Sequence, residues 1–171
     1  GARLGYGLCS PMCDVTLPLL AALADVFYIG GTKVGALFGE AVVIVNEGLK
    51  RDFRYSIKRH GGMLAKGRLL GIQFETLFAD GLYFRIARHA VSQALRIKQV
   101  LQAKGFHMLV DSPTNQQFVI LPNKVLDRLS QRFVLSPWEP MEGNRTAVRI
   151  CTSWATRDEN VDALIEELNN L

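Results

Sequence analysis

No uninterrupted apolar stretch in the chain approaches the ~20 residues that a membrane-spanning helix needs. No charged-then-apolar leader with a small-residue cleavage site opens it either. Runs of like charge are also lacking. Lys and Arg number 20 against 16 Asp and Glu, yet no five basic residues stand together. The excess is too diffuse to argue for nucleic acid, and it suits binding of a phosphate or a carboxylate. Cysteine is scarce: Cys9, Cys13 and Cys151 form no CxxC, which excludes a zinc knuckle and a disulfide framework. Thiols in a reducing compartment fit that count, so the cytoplasm is the expected location. His60, His89 and His107 lie far apart with no HxxxH or HExxH spacing, and no metal centre is expected. GxSxG and GxxxxGK[ST] are absent and no carboxylates are paired in a way that suits acid/base work, which removes those hydrolase, P-loop and acid/base signatures.

What remains is ordinary globular material. Hydrophobic residues make up 49% and charged residues 21% of the 171, enough to bury a real core in one domain or two small ones. The opening "GARLGYGL" has no initiator Met and reads as the second half of something longer.

Periodicity divides the chain near residue 104. In the first part (1–104), "VTLPLLAALA" (15–24) reads as a short apolar helix capped by Asp14 or Thr16. Apolar runs at 26–29 and 37–45, bounded by glycines, read as buried strands. A charged surface helix over 47–60 and a second helix over 66–79 follow. Ile86, Ala90, Ala94, Ile97 and Leu101 share one face of a long helix over 82–104, which leaves Arg85, Arg88, Lys98 and Lys104 to solvent. Gly105 stops it. In the second part (105–171), strands are expected at 106–110, 117–121, 132–138 and 146–152, with a helix over 123–131. A closing helix starts at Thr156, whose spacing to Glu159 predicts a capping box. That order makes a small α+β domain.

Three features carry candidate chemistry. Lys33 follows Gly30-Gly31-Thr32 between two apolar strands. A lysine desolvated there loses its preference for the charged form and becomes a nucleophile toward carbonyls, and flanking glycines would let a flat cofactor approach. A solvated hairpin lysine is the plainer alternative. Arg149 lies mid-strand, and alternation sets it on the face opposite Val148 and Ile150. A guanidinium keeps its proton and calls for an anion there, although a half-exposed arginine on a solvent face gives the same pattern. Lys58, Arg59, Lys66 and Arg68 surround Gly61-Gly62 at a helix junction, either a phosphate site with Lys66 nearest the helix start or a solvated basic surface.

Taken together, "GARL" (1–4), "FYIGGTKVGALFGEAVVI" (27–44), "LAKGRLLGIQFETLF" (64–78) and "VRICTSWAT" (148–156) resemble the C-terminal half of the low-specificity L-threonine aldolases, over nearly the whole chain. The resemblance implies the α/β, aspartate-aminotransferase-like fold of the pyridoxal-phosphate enzymes of fold type I. This chain would be the end of the large domain followed by the small α+β domain. It implies pyridoxal 5'-phosphate as cofactor, with Lys33 as the Schiff-base lysine and Thr32 and Lys66 as further cofactor contacts. Arg3, within the family's Asp-Gly-Ala-Arg motif, and Arg149 would hold the substrate carboxylate. The reaction would be cleavage of L-threonine or L-allo-threonine, a β-hydroxy amino acid, to glycine and acetaldehyde in a homodimer or homotetramer.

The motif's Asp and the family's N-terminal half, with its phosphate turn and ring-stacking histidine, are not among these residues. The lone chain is therefore expected to need that missing half for activity. Two rivals remain open: a β-eliminating lyase or aminotransferase of the same cofactor class, and a non-catalytic α+β dimerisation module.

Overall fold

Two antiparallel sheets of unequal size organise the protein, a two-stranded ribbon and a four-stranded sheet. The computed structural model describes residues 1–171. By packing, the chain forms two compact units: Gly1–Leu8 with Cys13–Ile86, and Cys9–Met12 with Ala87–Leu171. No helix is long and apolar enough to cross a membrane.

The first unit opens with a short helix, α1 (Leu4–Leu8), which the sequence analysis did not anticipate. It is one turn of "LGYGL", too short to show a period, and it is held by tertiary contacts instead. Helix α2 (Leu17–Leu23) follows. Its Thr16 cap forms as expected, with the Leu19 N–H donating to Thr16 Oγ1 at 3.3 Å, and Pro18 sits in its first turn. Strands β1 (Val26–Gly30) and β2 (Glu40–Ile44) pair with Val26 opposite Ile44 and Gly30 opposite Glu40. The second strand starts three residues later than its apolar run suggests, because 36–39 belong to the intervening turn.

The charged segment 47–60 is not one helix. A 3-10 turn at Glu47–Leu49, capped by Asn46, gives way at Asp52 (φ 55°) to α3 (Phe53–Arg59). A left-handed residue breaks the ladder there, and aspartate is among the few side chains that adopt it readily. Helix α4 (Arg68–Phe78) falls within the predicted span.

Helix α5 (Leu82–Ala103) begins in the first unit and continues into the second. It ends as predicted. Gly105 takes φ 79°, and the Phe106 N–H reaches back to the Leu101 carbonyl at 3.0 Å. Lys98 departs from expectation: its Nζ donates to the Ser112 carbonyl and pairs with Asp111, so its side chain is mostly covered.

The second unit stacks helices on one face of a sheet ordered β3-β4-β6-β5. The strands are β3 (His107–Val110), β4 (Gln116–Pro122), β5 (Ser136–Met141) and β6 (Arg145–Cys151). Helices α6 (Asn123–Ser130) and α7 (Asp158–Asn169) complete it. Ile97, Leu101, Val119, Leu121, Leu129, Val148, Ile150, Val161, Leu164 and Leu168 form one buried cluster.

Two expectations fail locally. Residues 132–135 are not strand, because the Phe133 N–H bonds back to Leu129 and prolongs the end of α6. The Thr156–Glu159 capping box does not form: α7 is capped at Arg157, and Thr156 Oγ1 accepts instead from the Ser153 N–H at 2.8 Å.

Candidate functional site

Each unit carries its own cluster of candidate residues. In the first, β1 runs into a turn over residues 31–36. The Gly31 carbonyl accepts from the Val34 N–H at 2.9 Å and the Ala36 N–H at 3.0 Å. Val34 takes the fully buried position in this turn, which sends Thr32 and Lys33 outward. The expected desolvation of Lys33 is therefore not seen: its side chain is exposed. Its backbone is nonetheless anchored, since the hydroxyl of the buried Tyr6 donates to the Lys33 carbonyl. On the far side, α4 braces the turn, with the Leu37 N–H donating to Gln73 Oε1 at 2.7 Å.

The two glycines before Lys33 also differ from expectation. A methyl on Gly30 would lie 2.6 Å from the Ala2 Cα, and one on Gly31 would lie 2.7 Å from the Ala36 Cβ and 2.9 Å from the Phe74 ring. At both positions the chain's own atoms fill the space that the sequence reading reserved for a cofactor. The close approach at Gly30 draws the opening segment onto β1, where the Gly30 N–H donates to the Gly1 carbonyl at 3.2 Å. Arg3, exposed at the start of α1, is thereby carried beside the end of β1. Tyr83 ties the same parts from α5. Its hydroxyl accepts from the Gly5 N–H at 3.1 Å and donates to the Gly30 carbonyl at 3.3 Å. Sequence reasoning missed Tyr6 and Tyr83, since a lone tyrosine among apolar residues looks like any core aromatic.

Lys66 stands two residues before α4 in an exposed turn, and Lys58, Arg59 and Arg68 are exposed as well. They form an open basic surface with no ion pair to any carboxylate. Both sequence readings of this junction, phosphate site and solvated patch, are compatible with that arrangement.

In the second unit, Arg149 lies on β6 opposite Phe118 of β4 and Ser136 of β5. Its neighbours Val148 and Ile150 enter the core, so Arg149 occupies the other face, as alternation predicts. The guanidinium carbon stands 5.3 Å from the centroid of the Trp138 ring, and Trp138 meets Phe118 edge-on at 5.4 Å. The Nε of Arg149 is buried without a hydrogen-bond partner, and the side chain makes no ion pair. A buried N–H with no acceptor is costly, and an arginine cannot escape the cost by losing its proton. Just past Arg149 the end of β6 is latched. The Thr152 hydroxyl donates to the Ala90 carbonyl at 2.6 Å, and Asn115 Nδ2 donates to the Thr152 carbonyl at 2.7 Å. Chemically, the site offers a fixed, unneutralised cation of the planar kind that suits a carboxylate.

Comparison with known proteins gives a consistent answer. No family profile matches the chain. The low-specificity L-threonine aldolase of Pseudomonas sp. (strain NCIMB 10558) is 29% identical over 171 residues, and that of Pseudomonas aeruginosa is 30% identical over 169. Each match covers 98% of this chain and 48% of the relative, so the chain spans about half the length of the curated relatives it matches. Among solved structures, the threonine aldolase of Leishmania major superposes with a TM-score of 0.95 at 42% identity, over 99% of this chain and 50% of that one. Serine palmitoyltransferase of Sphingomonas wittichii shares the fold alone, at 12% identity and a TM-score of 0.60. The fold is thus that of the fold-type I pyridoxal-phosphate enzymes. In sequence over nearly its whole length, and in structure, this chain is related to the low-specificity L-threonine aldolases, of which it spans about half.

Proposed function

We propose that the chain supplies the cofactor-anchoring and carboxylate-binding parts of a pyridoxal-phosphate-dependent lyase. The enzyme would cleave L-threonine or L-allo-threonine to glycine and acetaldehyde in the cytoplasm. The observation that carries this reading is the likeness to threonine aldolase at a TM-score of 0.95 over 99% of the chain. The local structure fits the cofactor: Lys33 has an exposed amine on a turn whose backbone is pinned by Tyr6.

Pyridoxal phosphate, when bound, supplies an aldehyde that takes up an amine and a sink for the electron pair left when the Cα–Cβ bond breaks. Lys33 would hold it through Nζ, with Thr32 alongside. Lys66, just ahead of α4, would meet its phosphate across a subunit boundary of a homodimer or homotetramer, where the helix start also favours an anion. Arg149 binds the substrate carboxylate with the fork of its guanidinium, and Arg3 assists. Both act by orientation, fixing which bond at Cα is presented for cleavage. The remaining groups come from the half of the protein that lies outside these residues, as the twofold length of the relatives suggests.

Reduction of the complete enzyme with borohydride in the presence of pyridoxal phosphate, followed by peptide mapping, tests the anchor. The label should fall on the peptide carrying Lys33 and vanish in Lys33→Ala. A label concentrated on Lys66, or spread evenly over the exposed lysines, would sink the assignment.

A further inference from the structure

The strand β5 departs from regular pairing at one place. Ser136 faces Arg149 and Pro137 faces Val148, but the next partner of β6, Ala147, faces Glu139. Trp138 is the residue left over. A bulge of this kind bends the strand and re-aims the extra side chain, and bulges concentrate beside active sites. Prolines at 137 and 140 flank it on an edge strand that pairs only with β6. The ring of this extra residue, on the face that Ser136 shares with Arg149, lies beneath the Arg149 guanidinium, and Phe118 buttresses it from the next strand but one.

We propose that Trp138 is a positioning residue for Arg149: the bulged ring holds the guanidinium on the sheet face without neutralising it. The chemistry explains why an aromatic ring serves here better than an acid. An aspartate or glutamate at this place would hold the arginine just as firmly, but it would occupy the fork and cancel the charge. The negative face of an indole attracts the cation within ~6 Å and leaves its hydrogen-bond donors available to a ligand. The partnerless Nε agrees with this, because the arginine is fixed by stacking rather than by an internal acceptor. The proposal rests on the reading of Arg149 as a carboxylate anchor, and it adds the residue that prepares the anchor.

The test uses the Nε–H resonance of Arg149 in the ¹⁵N-labelled complete enzyme, with the N-terminal half and pyridoxal phosphate present, assigned by its loss in Arg149→Lys. Stacking on an indole should shift this proton upfield and keep the bond vector rigid. In Trp138→Leu the shift should disappear and the vector become mobile, while Trp138→Phe should retain part of both. L-threonine titrated into the parent should move the resonance saturably, and Trp138→Leu should weaken the apparent affinity about tenfold, with Trp138→Phe in between. An unchanged affinity and an equally rigid Nε–H in Trp138→Leu would overturn the positioning role while leaving the anchor intact. A parent resonance that does not respond to L-threonine would overturn the anchor itself, and the proposal with it. Should Trp138→Leu fail to fold, Trp138→Phe against Trp138→Tyr carries the same comparison.

Discussion

Replacing Gly31 by alanine asks what the glycines before Lys33 are for. The added methyl would sit 2.7 Å from the Ala36 Cβ and 2.9 Å from the Phe74 ring, where carbon atoms settle at roughly 3.5–4.0 Å. The Ala36 methyl has no rotamer to move to. Relief must come from the turn backbone, whose closure depends on two bonds to the Gly31 carbonyl. Overpacking of this kind costs about 1–3 kcal/mol, and weakening one of the two bonds adds about 1 kcal/mol. The lower chain entropy of alanine in the unfolded state returns about 0.4–1 kcal/mol. The net loss is then roughly 1–3.6 kcal/mol, or a fall in Tm of about 2–14 °C for a chain of this size. Urea and thermal unfolding of Gly31→Ala measure it, and Gly31→Ala combined with Ala36→Gly should recover most of the loss. If Gly31→Ala unfolds like the parent and loses only its binding of pyridoxal phosphate, the glycine serves ligand access and the packing argument is refuted.

Two further predictions concern the second unit. The carboxyl of Glu167 is held below the ordinary glutamate range, chiefly by the hydrogen bond from Arg128 and further by Arg132. Because the folded value is the lower one, its contribution to stability is complete above the unfolded value and fades as pH falls through the folded value. Unfolding midpoints measured between pH 7 and 3 should therefore decline less steeply in Glu167→Gln than in the parent, and parallel curves would refute this. Thr152→Val keeps the shape of the buried side chain but removes a hydroxyl that donates to the Ala90 carbonyl at 2.6 Å. It should cost about 1–3 kcal/mol in urea unfolding, and a change below ~0.5 kcal/mol would mean that the latch at the end of β6 contributes little.

The parts of the fold that announced themselves in the sequence are those set by repetition. The stripe Ile86–Leu101 on α5, the stop at Gly105 and the alternation that turns Arg149 away from the core all follow from periods of 3.6 or 2 over several residues. What stayed hidden depends on single residues or on contacts far apart in the chain. Helix α1 is one turn stabilised by Tyr83 and β1. The break at Asp52 is one residue's choice of φ. Thr156 had two possible uses for its hydroxyl, and the local turn took it before the helix could. The same limit applies to the candidate site. Lys33, Lys66 and Arg149 were legible as residue types in a pattern, whereas Arg3 and Thr32 entered through the family resemblance, which supplied the roles. Their settings were not legible: Val34 rather than Lys33 fills the inward place in the turn, and the space beside the glycines is filled by Ala2, Ala36 and Phe74. Trp138 was invisible as a partner of Arg149 because which strand pairs with β6, and in what register, is a contact between distant parts of the chain that no local pattern encodes.

The joint between Tyr83, Gly5 and Gly30 constrains how this protein can change over generations. A methyl on Gly5 would lie 2.8 Å from the Tyr83 ring, so no residue with a side chain fits at 5 while tyrosine stays at 83. Removing the ring first would make room, but it would also strip the partner from the Gly5 amide and the Gly30 carbonyl, both bound to the one buried hydroxyl. Neither order of substitution passes through an undamaged intermediate. Positions 5 and 83 thus constrain one another, and through Tyr83 the segment bearing Arg3 is tied to the strand that leads into the turn bearing Lys33.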